Sequence, residues 1–449
     1  MNIMKVVKLL LIAILFVSSS GYAQHIEQRS VIPQEDFLFL ENITKDVLEA
    51  SRIYPGQFVS KESGSNKTGG TLIRPGGRNA YPAFWIRDYA MSLETGLVSE
   101  EEQRHMLLLT ASTQCDQSRM TKGGSLIPFG AVADHIRIDD GKPIYFPGTY
   151  DYEQQGIPQW GSLPPFCDQF YFIHMAYCYV KQTRDPKILL KEINGIRLID
   201  RLKTAFHVPP SNDSNHIVYT TEAMRGVDFG FRDAQTITGD LCFVSVLKYN
   251  AAHELAALLQ MLKSNNANQY LCIAEKIKQS ISGIFMDERG MLLASTGKSR
   301  QPDVWATAFA VYSGILEGNE LKKACKVLAG AYKAGTLSYE GNIRHLLTTD
   351  DFNDKTAWEI SLSAKNTYQN GAYWGTPLGW VCYAINLEDT YSASQLAEEY
   401  INELRENDFR KGDAFGAPYE CFNKSGYNQK PAYLTSGACP LIAVRKLVR

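Results

Sequence analysis

The sequence predicts an all-α fold: an (α/α)6 toroid of six inner and six outer helices, with long loops at one end. Three observations carry that expectation. Apolar residues recur at helical spacing in twelve segments, the segments alternate between two kinds of helix, and the connections alternate between short and long. One kind of helix has a single apolar stripe and covers a core with one face; the other is apolar nearly all round and must be buried on every side. A ring of buried helices wrapped by a ring of amphipathic ones satisfies six of each in strict alternation.

In chain order, residues 1–23 read as a secretory signal: Lys5 and Lys8 precede the apolar run 9–17, and Gly21 and Ala23 supply small residues before an expected cleavage near Ala23–Gln24. The run is too short to span a membrane. The mature chain, 24–449, is expected to be a single domain, monomeric, and periplasmic or secreted. The outer helices are expected at 35–53 (Phe39, Ile43, Val47), 100–112, 185–203, 265–285, 319–333 (Leu321, Cys325, Leu328, Tyr332) and 391–405 (Leu396, Tyr400, Leu404). The inner helices are expected at 89–98, 168–180, 241–260, 303–316, 374–385 and 433–448. Short strands are expected inside the long loops, around 216–221 and 291–294.

Composition narrows the partners. A net charge of −2 argues against nucleic acid or an anionic membrane surface. No later stretch is long and apolar enough to anchor the chain in a bilayer. The nine cysteines are scattered without a CxxC pair, which indicates neither a disulfide framework nor a zinc site, and most are expected to be small buried hydrophobes. Eleven per cent aromatic content, with 24 Tyr, suits a sugar-binding enzyme and equally a large core.

The connections locate function. Links from inner to outer helices are short, whereas 54–87, 113–167, 206–239, 286–302, 334–373 and 406–431 are long. In an alternating ring all the long ones fall at one mouth, and loops of such length are commonly functional. Each delivers chemistry: Trp85, Arg87 and Asp88; Trp160, Asp168 and Gln169; Arg232, Asp233 and Asp240; Asp303 and Trp305; Asn370, Tyr373 and Trp374; Tyr419 and Glu420. Aromatic faces beside carboxylates and amides describe a saccharide site, with rings against C–H faces and polar groups on hydroxyls. The structural alternative for Asp88, Asp168, Asp240 and Asp303 is a helix N-cap, and for Trp160, Trp305 and Trp374 the core. Asp233 and Glu420 differ, because both lie several residues before their helices, where no cap is needed.

These motifs resemble those of the six-hairpin glycosidases, the toroid enzymes that include glucoamylases, processing α-glucosidases, glycogen-debranching glucosidases and α-rhamnosidases. Trp85-Ile86-Arg87-Asp88 is similar to the family's aromatic-x-Arg-Asp motif, Phe229-Gly230-Phe231-Arg232-Asp233 to the loop carrying the general acid, and Pro418-Tyr419-Glu420 with Asn423 to the segment carrying the base; Asn370-Gly371-Ala372-Tyr373-Trp374 is a further shared pattern. The resemblance implies an inverting glycoside hydrolase of an oligosaccharide or polysaccharide fragment, with Asp233 as general acid and Glu420 as general base; the leader adds export, and a mouth crowded by six loops suggests a pocket and exo attack. Trp85, Arg87, Asp88, Trp160, Asp168, Gln169, Arg232, Asn370, Tyr373, Trp374 and Tyr419 are expected to bind substrate, with no metal or cofactor. Two rival enzymes use the same fold, an unsaturated-uronide hydrolase and a sugar epimerase that works through cavity histidines such as His174 or His253. A non-catalytic sugar-binding toroid is the alternative from another class.

Overall fold

A computed structural model describes residues 31–448, Asn79 excepted. The leader expected at 1–23 lies outside the described residues. Among the described residues, twelve α-helices follow in the anticipated alternation. The outer helices are α1 (Gln34–Ser51), α3 (Glu100–Ser112), α5 (Leu198–Phe206), α7 (Ala267–Phe285), α9 (Gly318–Lys333) and α11 (Thr390–Glu406). The inner helices are α2 (Ile86–Ser92), α4 (Phe166–Thr183), α6 (Cys242–Met261), α8 (Val304–Tyr312), α10 (Leu378–Asn386) and α12 (Leu434–Val448). The inner helices contact one another in the order α2, α4, α6, α8, α10, α12 and back to α2, so the ring closes. Burial follows the two kinds of sequence. Every residue of α2 is buried and all of α8 except its last is buried, whereas α7 buries one stripe, Tyr270, Ile273, Ala274, Ile277, Ile281 and Phe285. The nine cysteines are free and all but Cys272 are buried. No helix among the described residues is long and apolar enough to cross a membrane.

Four expected helices are shorter or end early; the one expected at 89–98 stops as α2 at Ser92 and passes through a 3-10 turn, Leu93–Thr95, to Gly96 in the left-handed region. The segment 185–203 breaks into a 3-10 turn, a two-strand hairpin and then α5, because Asn194 and Gly195 both adopt positive φ (49° and 76°) between Glu192–Ile193 and Ile196–Arg197. An Asn-Gly pair in that conformation turns a hairpin. Helix α10 starts at Leu378, after Pro377, and leaves Trp374 in a strand. Helix α8 stops at Tyr312, ahead of Gly314 in the left-handed region.

Small antiparallel ladders tie the long loops together. Ala83–Trp85 pairs with His135–Arg137, joining the first loop to the second. Gln235–Thr236 pairs with Ile360–Ser361, joining the third to the fifth. Tyr373 pairs with Phe422 in a five-stranded sheet that joins the fifth to the sixth. Each ladder sits within three residues of a charged side chain considered below.

Candidate active site

Arg87 is the centre. Its side chain is 3% exposed, and its guanidinium lies 2.5 Å from Asp134 Oδ1, 3.3 Å from Asp168 Oδ2, 3.6 Å from Asp233 Oδ2 and 3.9 Å from Asp88 Oδ2. Backbone packing makes the approach of Asp233 possible. A Cβ on Gly230 would overlap the Arg87 guanidinium, so the loop bearing Asp233 crosses Arg87 only with glycine there. Trp85 lies against the guanidinium, 5.0 Å from ring centre to Cζ, and stacks on His135 at 4.2 Å. His135 Nδ1 is 2.7 Å from Asp134 Oδ2, and Tyr150 meets both rings edge-on from the solvent side.

Two carboxylates reach this cluster from opposite parts of the chain. Asp233 accepts from Gln369 Nε2 at 2.9 Å, and Gln369 Oε1 accepts in turn from the Ala234 amide at 2.8 Å, which sets the amide's orientation. Glu420 accepts from the Tyr81 hydroxyl, 2.7 and 2.5 Å from its two oxygens. Asp88 accepts from Tyr433 Oη at 2.8 Å. All three carboxylates are buried, Asp233 the most open at 8%.

One guanidinium facing several carboxylates leaves negative charge without a counter-ion, and burial makes that charge costly. Burial pushes Asp233 up to about 7, with Asp134 and Asp88 adding to it and Arg87 and Gln369 opposing. Burial pushes Glu420 up to about 8, against the hydrogen bond from Tyr81 and with help from Asp88 and Asp233. Asp88 rises to about 6, again through burial. Asp134 and Asp168 share Arg87 unequally. Burial opposes the charge on Asp134, but Arg87 and His135 hold it below the usual carboxylate range. Burial and the Asp134 charge drive Asp168 well above that range. Its Oδ1 has no partner among the described residues, as suits a neutral acid. Burial likewise holds the Tyr81, Tyr368 and Tyr433 phenols protonated.

The structure therefore brings Trp85, Arg87, Asp88, Asp168, Asp233 and Glu420 together. Neither Asp88 nor Asp168 caps a helix; Asp303 does, accepting from the Ala306 amide. Asp240 sits in a ladder opposite Tyr219 and caps nothing. Other expected contacts need correction. Arg232 is 1% exposed and faces away from Asp233, clamped between Asp228 and Asp303 over the Trp358 ring. Gln169 is engaged by the Val132 and Pro165 backbone, and Asn370 by Thr356, Ala357 and Ser363, so both amides hold loops in place. Trp374 is fully buried among Phe231, Trp305 and His345. For Tyr373, Tyr419 and Trp160 the structure gives packing partners without overturning the expectation: Tyr373 packs on Tyr339, Tyr419 on Phe422, and the half-buried Trp160 lies against Gly148.

Several members of the site escaped the sequence reading: Tyr81, Asp134, His135, Tyr150, Gln369 and Tyr433. Gln369 is one residue from Asn370, and Tyr433 immediately precedes α12, so position alone marked both neighbourhoods. Asp134-His135 carried no signal beyond its place in a long loop. The histidines of the epimerase reading stand elsewhere, His174 against Glu254 and His253 on the Tyr249 ring. Among the described residues no group of three His, Cys, Asp or Glu side chains is arranged to hold a metal ion.

No protein-family model matches the sequence, and no curated protein matches it. Solved structures match through the fold. A rhamnosidase from Klebsiella oxytoca with rhamnose bound aligns over 92% of this chain and 64% of its own length, with TM-score 0.53 and 11% identity. The present chain thus spans less than two thirds of that enzyme. A glycosidase in complex with glucose aligns over 93% of this chain and 99% of its own, with TM-score 0.54 and 12% identity. A glucoamylase from Saccharomycopsis fibuligera aligns over 93% and 96%, with TM-score 0.55 and 12% identity. The twelve-helix toroid described above is the fold of these six-hairpin enzymes.

Proposed function

We propose that the chain is a glycoside hydrolase, exo-acting and inverting, in which Asp233 is the general acid and Glu420 the general base. The observation that carries the reading is the pair itself: two buried carboxylates from different loops, in one electrostatic field, each with a neutral hydrogen-bond partner and each drawn toward neutral pH. Hydrolysis needs one carboxyl group to donate a proton to the glycosidic oxygen as its bond to the anomeric carbon breaks. It needs a second to take a proton from the water that attacks that carbon from the opposite face. Both requirements call for carboxyls that exchange protons near working pH, which burial among excess carboxylates provides.

The other groups have fitting work. Asp88, with Tyr433 fixing one oxygen, holds sugar hydroxyls, Arg87 orients Asp233 and Asp168, and Trp85 with Tyr150 forms an apolar wall for a ring face. Gln369 and Tyr81 keep the two reacting carboxyls from turning away. Glycosidases of the same fold, one with rhamnose and one with glucose bound, support a carbohydrate substrate. The remaining parts of the reading are an exported, monomeric, single-domain protein of residues 24–449, periplasmic or secreted after removal of 1–23.

The test is a panel of oligosaccharides given to the purified mature chain, with NMR following the first anomer released. Turnover with inversion, lowered by orders of magnitude in both Asp233→Asn and Glu420→Gln, is the expected result. Sugar binding without turnover would make the chain a non-catalytic toroid, and activity confined to unsaturated uronides would replace the acid–base pair with vinyl-ether hydration.

A further inference from the structure

The toroid has a hollow at the mouth opposite the long loops. It encloses about 500 Å³ and is lined by all six inner helices, one helical turn or more beyond the candidate active site. The hollow lies behind the candidate active site along the inner helices. On α2 Met91 is four residues past Arg87, on α6 Leu247 is four past Phe243, and on α8 Phe309 is four past Trp305. An aromatic partition separates them: Phe243 stacks on Phe309 at 4.9 Å, and Phe309 packs on Trp380 at 4.9 Å. The inward surface of that partition supports the acid loop, since Phe229 stacks on Phe243 at 4.0 Å.

The lining has a defined chemistry. The floor is aromatic: Tyr171, Phe309 and Trp380. The walls carry polar groups that are paired yet keep capacity. His174 Nδ1 meets Glu254 Oε1 at 2.6 Å, and Asn250 donates to Ser313 at 3.0 Å, which leaves its carbonyl oxygen as an acceptor. The Tyr312 hydroxyl is buried and has no partner among the described residues. The charges are already matched or sit at the rim. Glu254 neutralises His174, while Lys446 lies over the Tyr312 ring and Lys181 over the Tyr177 ring, near Glu94. A cationic ligand would meet two lysines, and a purely apolar one would leave the wall groups unpaired. A hollow of this volume falls in the range of small-molecule sites.

From this geometry we propose that the short-link mouth is a second ligand site, for a neutral sugar or polyol of one or two rings, seated with a C–H face on Trp380 and hydroxyls on Asn250, Glu254 and Tyr312. The site is independent of the catalytic assignment. Its occupant would touch the reverse side of the partition on which the Asp233 loop rests.

The test uses the mature chain with 13C-methyl methionine, the Met91 signal being assigned by Met91→Leu, and glucose and then maltose as probes. Saturable movement of the Met91 signal is expected. Ser313→Trp, which fills the hollow, should weaken it at least tenfold, and Tyr312→Phe, which removes only a hydroxyl, should weaken it several-fold. Glu420→Gln should leave the Met91 titration unchanged while removing turnover, so failure of this site and failure of the catalytic reading are separable. A Met91 signal that stays still with both sugars overturns the proposal. So does one that moves equally in all three variants, and so does one that responds to benzylamine or glucuronate but not to glucose.

Discussion

Two buried arginines, Arg87 and Arg232, organise neighbouring parts of the long-loop mouth, and they differ in charge balance. Arg232 meets two carboxylates, Asp228 at 2.5 Å and Asp303, and all three side chains are essentially inaccessible. Its guanidinium also lies between the Phe243 and Trp358 rings, 5.6 and 5.3 Å away. Both terminal nitrogens of the guanidinium are thereby engaged, and only the buried Nε lacks a partner among the described residues. Arg87 has four aspartates within 4.0 Å. One positive charge faces four buried carboxylates, so burial drives Asp168 well above the usual carboxylate range and pushes Asp233 up to about 7. The two centres even share a sequence junction, Arg232-Asp233, whose side chains point to opposite sides. The lesson is that one guanidinium shared by two carboxylates holds the fold, while one shared by four leaves carboxyls that exchange protons.

The largest effect that could break the contrast is on rate. Asp233→Asn and Glu420→Gln should each lower kcat by roughly 10²–10⁴-fold, the usual scale of acid–base assistance, with the circular dichroism spectrum unchanged. Turnover near the wild-type level in either variant would remove that carboxyl from the chemistry. Next is stability. Arg232→Met leaves two buried aspartates without a counter-charge and should cost about 3–5 kcal/mol in urea unfolding, the usual range for breaking a buried ion pair. A wild-type midpoint in that variant would show that the clamp is not structural.

A smaller effect has the opposite sign. Asp233 has a folded-state value of about 7 against an ordinary 3.8, so the folded chain keeps a proton that the unfolded chain releases. The associated stability is complete below pH 3.8 and is lost as pH rises through 7. Asp233→Asn removes that loss, and should therefore stabilise the protein by about 1–3 kcal/mol above pH 7 and by almost nothing near pH 4. Equal Tm differences at the two pH values would mean that the carboxyl is not held protonated. Glu420→Gln should behave alike, with the loss running through about 8.

The pH dependence of kcat/KM sharpens the same point. Hydrolysis needs Asp233 protonated and Glu420 ionised; because Glu420 has the higher value, that arrangement is the minority form of the singly protonated pair, whose total is most populated between about 7 and about 8. The profile should be a narrow bell in that interval, and an optimum near pH 4–5 would place the working pair elsewhere. The smallest effect is expected for Tyr81→Phe. Losing the hydroxyl that Glu420 accepts from raises the carboxyl further, so one limb should move alkaline by less than a unit with a modest fall in kcat.

Much of this molecule is legible from local pattern. The twelve helices, their alternation and the direction of the long loops follow from apolar spacing over ten to twenty residues, because which face of a helix must be covered is a property of the helix itself. The same local reading marked Arg87, Asp88, Asp233 and Glu420. It failed where local rules conflict: Asn194-Gly195 turns a hairpin inside an apolar run, and Asp303 is at once a cap and a counter-ion. It also could not separate Arg232 from Asp233, or Asn370 from Gln369, because adjacent residues in a loop diverge by backbone angles that no periodicity encodes.

Tertiary structure alone decided which charges meet. Arg87 finds Asp134 47 residues away, Glu420 finds Tyr81 across 339, and Asp88 finds Tyr433 across 345. Proton affinity depends on the sum of such encounters and on burial, both of which arise only when six loops close over one mouth. The hollow at the other mouth has the same origin, since its lining comes from six helices and no single segment contains its outline.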